Sequence, residues 1–522
     1  MSSLSMDCSP RYSFNAFTSN RWLIHTDSSH QTRPVAPIDA LPDELLLYIF
    51  TLGAEDAGND EAGDATFSFL VSTICQSWRS LAINESRLWT SLTVTLSAAI
   101  NRLPVPAEEI FDFFEVFPKE CTILQRSANR DFDFYLNFDE LMGGEEKWLE
   151  LKNFNEVHLF VLSDLIASHA HRMRRFDVTM LTWESVVYFC SPLHGITMPR
   201  LDSWGVTASD TEDYSTFEHT YDQGLGSNVE PMRVLEYDDL QGSHRLLLPA
   251  LKYVSCSGIP LNWELFSPSN LQTLVLGFQP RDARLSMETL RGILWNSKDT
   301  LEHLQLLAVL DIRSEVPVPD ARLVLKYVTG LALRYTGVHE ARALFQGFEF
   351  PELRTLVLQN KGRDCDDEVL LDVLKYTQVE DLFKVQFSRI FVDCLEGAAG
   401  GTAEESTPLI LQLFHRFSRG DLQRLTLDHC CECFLKFMNY GNEMGGGSVN
   451  LSQLKALIVC VTTTEASEGV VSFLRDRLEL GSVNGPYAGP VLEQLKLMMW
   501  QGVEGQVEAL AELAKEIQIT YR

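Results

Sequence analysis

The sequence predicts an α+β multidomain protein: a small all-α unit followed by an irregular α/β solenoid. Three observations predict it. Residues 37–92 concentrate apolar side chains at helical spacing. From about residue 151 a six-residue pattern, Leu-x-x-Leu-x-Leu or a near relative, recurs with helical stretches between its copies. And 522 residues exceed one ordinary core, which fits several domains or an extended repeat array.

Residues 1–36 read as a flexible tail, although Tyr12, Phe14, Phe17 and Trp22 give it aromatic content. The helical unit spans 37–92. Leu41-Pro42 opens its first helix, because a Pro at a first helical position lacks only an N–H that would have no partner there. Asp43 and Glu44 set negative charge at the positive end of the helix dipole. Leu45, Leu46, Leu47, Ile49, Phe50 and Leu52 then make a surface wider than a one-sided stripe, so the helix is expected to be covered on more than one side. Phe67, Leu70, Val71, Ile74, Cys75, Trp78 and Leu81 form one long apolar face on a second helix. Asn84 is the expected cap of a short third helix carrying Leu88 and Trp89. Between the first two helices the acidic stretch 53–65, GAEDAGNDEAGDA, is expected to loop out.

These residues resemble an F-box of the F-box-like type numerous in mushroom-forming fungi. The family pattern, Leu-Pro-x-Glu-Leu-(apolar)-x-x-Ile-Phe followed by Cys-x-x-Trp-Arg-x-Leu and Leu-Trp, is met by Leu41, Pro42, Glu44, Leu45, Leu46, Ile49, Phe50, Cys75, Trp78, Arg79, Leu81, Leu88 and Trp89. The acidic stretch 53–65 is longer than the family's usual connection.

Residues 93–150 form a connecting region, in which TVTLSAAI could be a strand and EEIFDFFEVF has helical spacing. The repeat region spans 151–522. Its clear copies are LQTLVL (271–276), LEHLQL (301–306), LRTLVL (353–358), LQRLTL (422–427), LKALIV (454–459) and LEQLKL (492–497). Weaker ones begin at 154, 173, 232, 251, 328 and 379. Each copy is read as a strand whose Leu positions face inward. METLRGILWN (287–296) and EVLLDVLKY (368–376) are intervening helices. No copy can bury its apolar face alone, so copies stack on a shared core. The region resembles a leucine-rich-repeat array, with spacing from about 19 to about 43 residues. Long insertions at 206–228, 396–407, 441–449 and 481–490 are expected loops.

Composition narrows the function. With 72 acidic against 43 basic residues the net charge is −29. That argues against nonspecific binding to nucleic acid or anionic membrane, which needs Lys and Arg to replace counterions. The cationic run 169–175 (HAHRMRR) is expected to be a solvated helix end. Eleven scattered cysteines, no secretory signal in 1–36 and no membrane-length apolar run imply an intracellular, cytoplasmic and/or nuclear protein with reduced thiols.

No catalytic spacing stands out: GxxxxGK[ST], HExxH and GxSxG are absent, and Gly224-Leu-Gly226 lacks a third glycine. His429-Cys430-Cys431-Glu432-Cys433 is the best metal candidate, but a structural zinc needs four ligands and no second CxxC exists. Asp364, Asp366, Asp367 and Glu368 read as dipole and capping residues of a helix start. No enzyme activity, metal or cofactor is expected.

The F-box resemblance implies docking on the Skp subunit of an SCF-type cullin–RING ubiquitin ligase, with the repeats capturing a protein substrate. The expected docking residues are Leu41, Pro42, Leu45, Leu46, Ile49, Phe50, Leu70, Val71, Cys75, Trp78, Leu81, Leu88 and Trp89, some of which must be core. The expected substrate face is the outward strand residues Thr273, Val275, His303, Gln305, Thr355, Val357, Arg424, Thr426, Gln494 and Lys496. The alternative is an F-box-bearing repeat scaffold for protein–protein interaction without ligase activity.

Overall fold

Asp43 and Glu44 start α1 (Asp43–Ala57), whose first turn closes onto the Pro42 carbonyl. The structure, a computed structural model, describes residues 38, 41–57, 66–95, 113–138, 156–209, 248–261, 263, 268–279, 283–312, 321–362, 365–391, 409–430, 451, 453–460, 492–499 and 514–521. The expected tail, the copy at 232–237 and the loops 396–407, 441–449 and 481–490 lie outside these residues.

α1 runs into the acidic stretch expected to loop out, as far as Ala57. The second expected helix is two, α2 (Thr66–Ile74) and α3 (Gln76–Asn84), broken at Cys75. Cys75 is the N-cap of α3, and its sulfur accepts the Trp78 N–H at 3.5 Å. Asn84 ends α3 and does not cap the next turn. Glu85 caps the 3-10 turn Ser86–Trp89 by accepting the Arg87 N–H, and hydrogen bonding to Arg87 holds its carboxyl below the usual range.

The rest is a mixed helix–strand fold built on one fully parallel 14-stranded sheet. Its strands are β1 (Ser91–Thr95), β2 (Phe132–Asn137), β3 (Met173–Met180), β4 (Ser203–Ala208), β5 (Tyr253–Ser257), β6 (Thr273–Gly277), β7 (His303–Leu307), β9 (Gly330–Tyr335), β11 (Thr355–Asn360), β12 (Lys384–Ser388), β13 (Arg424–Asp428), β14 (Ala456–Cys460), β15 (Leu492–Met499) and β16 (Ala514–Tyr521), paired in chain order. β8 (Leu323–Val324) and β10 (Phe348–Glu349) pair separately. The intervening helices are α4 (Phe113–Val116), α5 (Pro118–Arg126), α6 (Glu156–His169), α7 (Trp183–Cys190), α8 (Met287–Trp295), α9 (Val338–Gly347), α10 (Asp367–Tyr376) and α11 (Leu409–Arg419).

Two inward rows carry the sheet's core. One runs Leu92, Phe134, Phe176, Trp204, Val254, Leu274, Leu304, Leu331, Leu356, Val385, Leu425, Leu457 and Leu495, all buried. In the clear copies the fourth motif position points inward as expected, and so does the sixth in those from LQTLVL to LKALIV. The first motif Leu is also buried, but it precedes the strand: Leu271, Leu301, Leu353, Leu422 and Leu454.

Four expectations are corrected. The sheet begins at Ser91, within the stretch assigned to the helical unit and the connecting region, rather than at 151. β1 and β2 alternate inward with Leu92, Val94, Phe132, Phe134 and Leu136, which the Leu pattern does not capture. The copy expected at 154–159 is helical from Glu156 onward, because Leu159, Leu162, Leu165 and Ile166 continue it at helical spacing and are buried. The expected loop 206–228 starts inside β4, where Val206 and Ala208 are buried.

The fourth correction concerns 169–175, which is no solvated helix end. Arg172 is buried, and its guanidinium donates to Ser127 Oγ (2.7 Å) and to the carbonyls of Arg130 (2.9 Å) and Leu124 (2.8 Å) over the Phe132 ring. It thereby shares with Ser127 Oγ the Leu124 carbonyl in the last turn of α5, and it holds the Arg130 carbonyl in the turn that follows. Burial, with Arg172 and His171 nearby, pushes the His169 imidazole down to about 4.

A turn that no sequence signal announced recurs at the strand ends. Gly258, Phe278, Ala308, Arg389 and His429 each follow a strand with φ between 48° and 71°. Each donates its N–H to a carbonyl at the end of the next strand, at Gly277, Leu307, Arg334, Asp428 and Cys460. Four of the five are not glycine. The left-handed residue costs roughly 1–2 kcal/mol outside glycine, and the inter-strand bond offsets part of it.

Candidate functional site

Two surfaces emerge, one on the helical unit and one on the sheet. On the helical unit the structure divides the expected docking set. Leu46, Phe50, Val71, Leu88 and Trp89 are core: Leu46 is 4% exposed, and Trp89 Nε1 donates to the Ala82 carbonyl at 2.8 Å. Leu41, Trp78 and Leu81 pack partly against that core, Trp78 with its ring 4.8 Å from Phe50. The five buried residues are corrected from docking residues to core, because their side chains are closed off from any partner, while Leu41, Trp78 and Leu81 stay half-exposed beside that core.

Leu45 (50% exposed), Ile49 (45%), Leu70, Pro42 and Cys75 face outward. So do Tyr48, Leu52, Ile74 and Ile83, which the expected set omitted. Leu45, Tyr48, Ile49 and Leu52 follow i, i+3, i+4, i+7 and make a second apolar stripe on α1, opposite the one that Leu46 and Phe50 bury. Leu70 and Ile74 add one turn of α2. Several large exposed apolar side chains on adjacent helices are the pattern of a surface that another protein covers.

On the sheet, the ten expected substrate-face residues fall into two straight rows. Thr273, His303, Gly330, Thr355, Lys384, Arg424, Ala456 and Gln494 are register partners in the first. Val275, Gln305, Ala332, Val357, Gln386, Thr426, Ile458 and Lys496 form the second. Gly330 matters here: a Cβ on it would stand 2.6 Å from His303 Nδ1, so its bare backbone gives the imidazole room on the face.

Charge divides this face. On its first strands the cations are paired. Arg174 bonds Asp133 at 2.5 and 2.8 Å, Arg175 donates to the Tyr135 hydroxyl, and Arg200 pairs with Asp131. Asp177 lies against Gly205, and burial pushes its carboxyl up. Farther along, Lys384, Arg424 and Lys496 form no side-chain ion pair or hydrogen bond among the described residues. These three cations share the outward face with Asp428 and with Glu516, the register partner of Gln494.

The acidic cluster near 364–368 is not a simple helix cap. Asp366 makes no cap bond from its side chain. Its buried carboxylate accepts from the Tyr335 hydroxyl (2.6 Å), both oxygens from Asn360 Nδ2 (3.0 Å) and one from the Phe391 N–H (2.8 Å). Burial first, and then Asp366, hold the Tyr335 hydroxyl well above its usual range. Of the cysteine-rich run 429–433, Cys431 to Cys433 lie outside the described residues. Cys430 Sγ lies 3.4 Å from the Phe387 carbonyl. No helix among the described residues is long and apolar enough to cross a membrane.

No protein-family model matches the chain, and no curated protein is similar to it.

Proposed function

We propose that this chain is a substrate-recognition adaptor of an SCF-type cullin–RING ubiquitin ligase, with an F-box-like unit over 37–92 and a leucine-rich-repeat-like solenoid behind it. The observation that carries the reading is the second apolar stripe. Leu45, Tyr48, Ile49 and Leu52 with Leu70 and Ile74 are dispensable to the fold's interior, yet costly to leave in water. They lie in the segments that resemble an F-box, and the partner implied is the Skp subunit. The chain itself then needs no chemistry. Holding substrate near a conjugating enzyme supplies the rate by proximity.

The substrate is a protein segment laid across the two outward rows. Lys384, Arg424 and Lys496 favour an acidic one, because unpaired cations steer and retain opposite charge. The test is reconstitution with the Skp subunit. Full-length chain should form a stoichiometric complex, and Leu45→Asp with Ile49→Asp should abolish it while the thermal unfolding curve stays put. A folded chain that forms no complex refutes the docking. A complex that never recruits the cullin supports a scaffold without ligase activity instead.

A further inference from the structure

The last outward positions of β13 and β14 bring together three groups that the rest of the face does not explain. Asp428 and Cys460 are direct register partners. His429 comes directly after Asp428 in the left-handed turn, and its N–H donates to the Cys460 carbonyl at 3.0 Å. Its ring is thereby anchored next to the residue whose thiol it faces. Asp428 Oδ1 lies 2.6 Å from His429 Nδ1, and His429 Nε2 lies 3.9 Å from Cys460 Sγ. All three side chains are partly exposed, and Cys460 is not in a disulfide.

We propose that Cys460 is a reactive thiol, a modification site for small soft electrophiles, with His429 as its base and Asp428 as the group that positions the imidazole. A carboxylate on Nδ1 takes that nitrogen's N–H and leaves Nε2 as the lone-pair nitrogen. Nε2 is the atom turned toward sulfur. The order nucleophile, base, orienting carboxylate is the arrangement that activates a weak nucleophile. In the reaction the Sγ proton moves to Nε2. The sulfur lone pair forms a bond to the electrophilic carbon as its bond to the leaving group breaks, and the leaving group departs with that electron pair.

The other described thiols sit differently. Cys190 and Cys256 are fully buried, and burial pushes both thiols far up. Cys365 is exposed and donates to the Asp367 carboxylate at 3.2 Å. Cys75 is exposed too, as the N-cap of α3, with its sulfur accepting a helix N–H. These two exposed thiols are the comparison. An unassisted thiol is only about 1% thiolate near pH 6.5, so exposure alone gives little reactivity there.

Full-length protein treated with limiting iodoacetamide near pH 6.5, then digested and mapped by mass spectrometry, tests this. Cys460 should be alkylated roughly tenfold or more faster than Cys75 and Cys365. His429→Gln should bring its rate down to theirs, and Asp428→Asn should give an intermediate rate. Labelling of Cys75 or Cys365 first, or an unchanged Cys460 rate in His429→Gln, overturns the proposal. If His429→Gln unfolds, revealed by labelling of Cys190 and Cys256, the wild-type pH profile decides. The Cys460 rate should stay nearly flat below neutrality while an unassisted thiol loses about tenfold per pH unit. A parallel fall refutes the assignment. So does one equivalent of retained zinc that must be chelated before Cys460 reacts, because the same donors would then be metal ligands. The inference does not depend on the ligase reading.

Discussion

Leu45 and Leu46 are neighbours in sequence and opposite in role, which makes them the sharpest test of how the helical unit works. Leu46 is 4% exposed and Leu45 is 50% exposed. Leu46→Ala should cost about 2–5 kcal/mol of stability, the range for emptying a buried leucine site. Leu45→Ala and Ile49→Ala should cost the isolated chain little. Their effect belongs to docking. Full burial of one such side chain contributes about 1.5–3 kcal/mol, and roughly half remains to be gained by a partner, so the pair supplies about 1.5–3 kcal/mol together. The double variant should bind the Skp subunit roughly tenfold to a hundredfold more weakly. Urea unfolding reads the first quantity and calorimetric titration with the Skp subunit reads the second. An unchanged Kd in the double variant refutes the docking stripe. A loss of stability in Leu45→Ala matching that of Leu46→Ala refutes the division between core and surface.

Four further outcomes are expected. Lys384→Glu with Arg424→Glu should weaken capture of an acidic peptide pool and flatten its salt dependence, read by fluorescence anisotropy at two ionic strengths; equal binding by both proteins removes the acidic-substrate reading. Arg172→Met should cost about 1–3 kcal/mol, since Ser127 Oγ and the part-buried Arg130 carbonyl lose this donor while the Leu124 carbonyl keeps Ser127 Oγ, as urea unfolding would register. Asp366→Ala should cost about 3 kcal/mol or more by stranding the Tyr335 hydroxyl and the Asn360 amide, again by urea midpoint. His169 is held at about 4 in the folded chain, below its value of about 6.5 when unfolded. The unfolded chain therefore takes up the proton first, and stability is lost as pH falls from the higher value toward the lower. Partial solvent exposure limits the loss to on the order of 1–2 kcal/mol. His169→Gln should shrink that acid-side slope in a series of urea midpoints.

Many strands of the parallel sheet were legible because leucine at alternate positions is a strong signal, and the outward rows came from it once register was assumed. The first strands were not legible by the same rule. β2, β3 and β4 place Phe134, Phe176 and Trp204 where later strands place leucine or valine, and the rings stack with centroids 5.6 and 4.3 Å apart. The row is apolar throughout but changes residue type, and a leucine pattern misses it. In the helical unit α1 is apolar on two faces, so sequence could name the residues without dividing them. The strand-end turns were hidden because Phe278, Ala308, Arg389 and His429 stand where glycine would have announced them. Cys460 lies outside the cysteine-rich run that the sequence singled out. Cys460 is 31 residues from His429, and only the register of β13 and β14 makes them neighbours.

A parallel sheet ends in an edge strand whose unpaired backbone invites other chains. The helical unit joins the core of the sheet beside β1. Trp89 is buried between the helices and the sheet, with Phe69 edge-on at 5.0 Å and the Arg126 guanidinium 4.4 Å from its ring. Ser68 Oγ donates to the Leu88 carbonyl at 2.5 Å from the other side. Leu46, Phe50 and Val71 belong to the same contiguous core as the sheet. The inner faces of α1 and α2 are therefore committed to that core, and the second apolar stripe is left exposed. If that stripe docks the Skp subunit as proposed, no described linker separates the docking surface from the first strand. The spacing between ligase and outward face is then set by packing, and Trp89→Ala should loosen it. Such a variant should still bind the Skp subunit through Leu45 and Ile49 but ubiquitinate captured substrate more slowly. Equal ubiquitination rates at equal occupancy would show that this packing does not set the geometry.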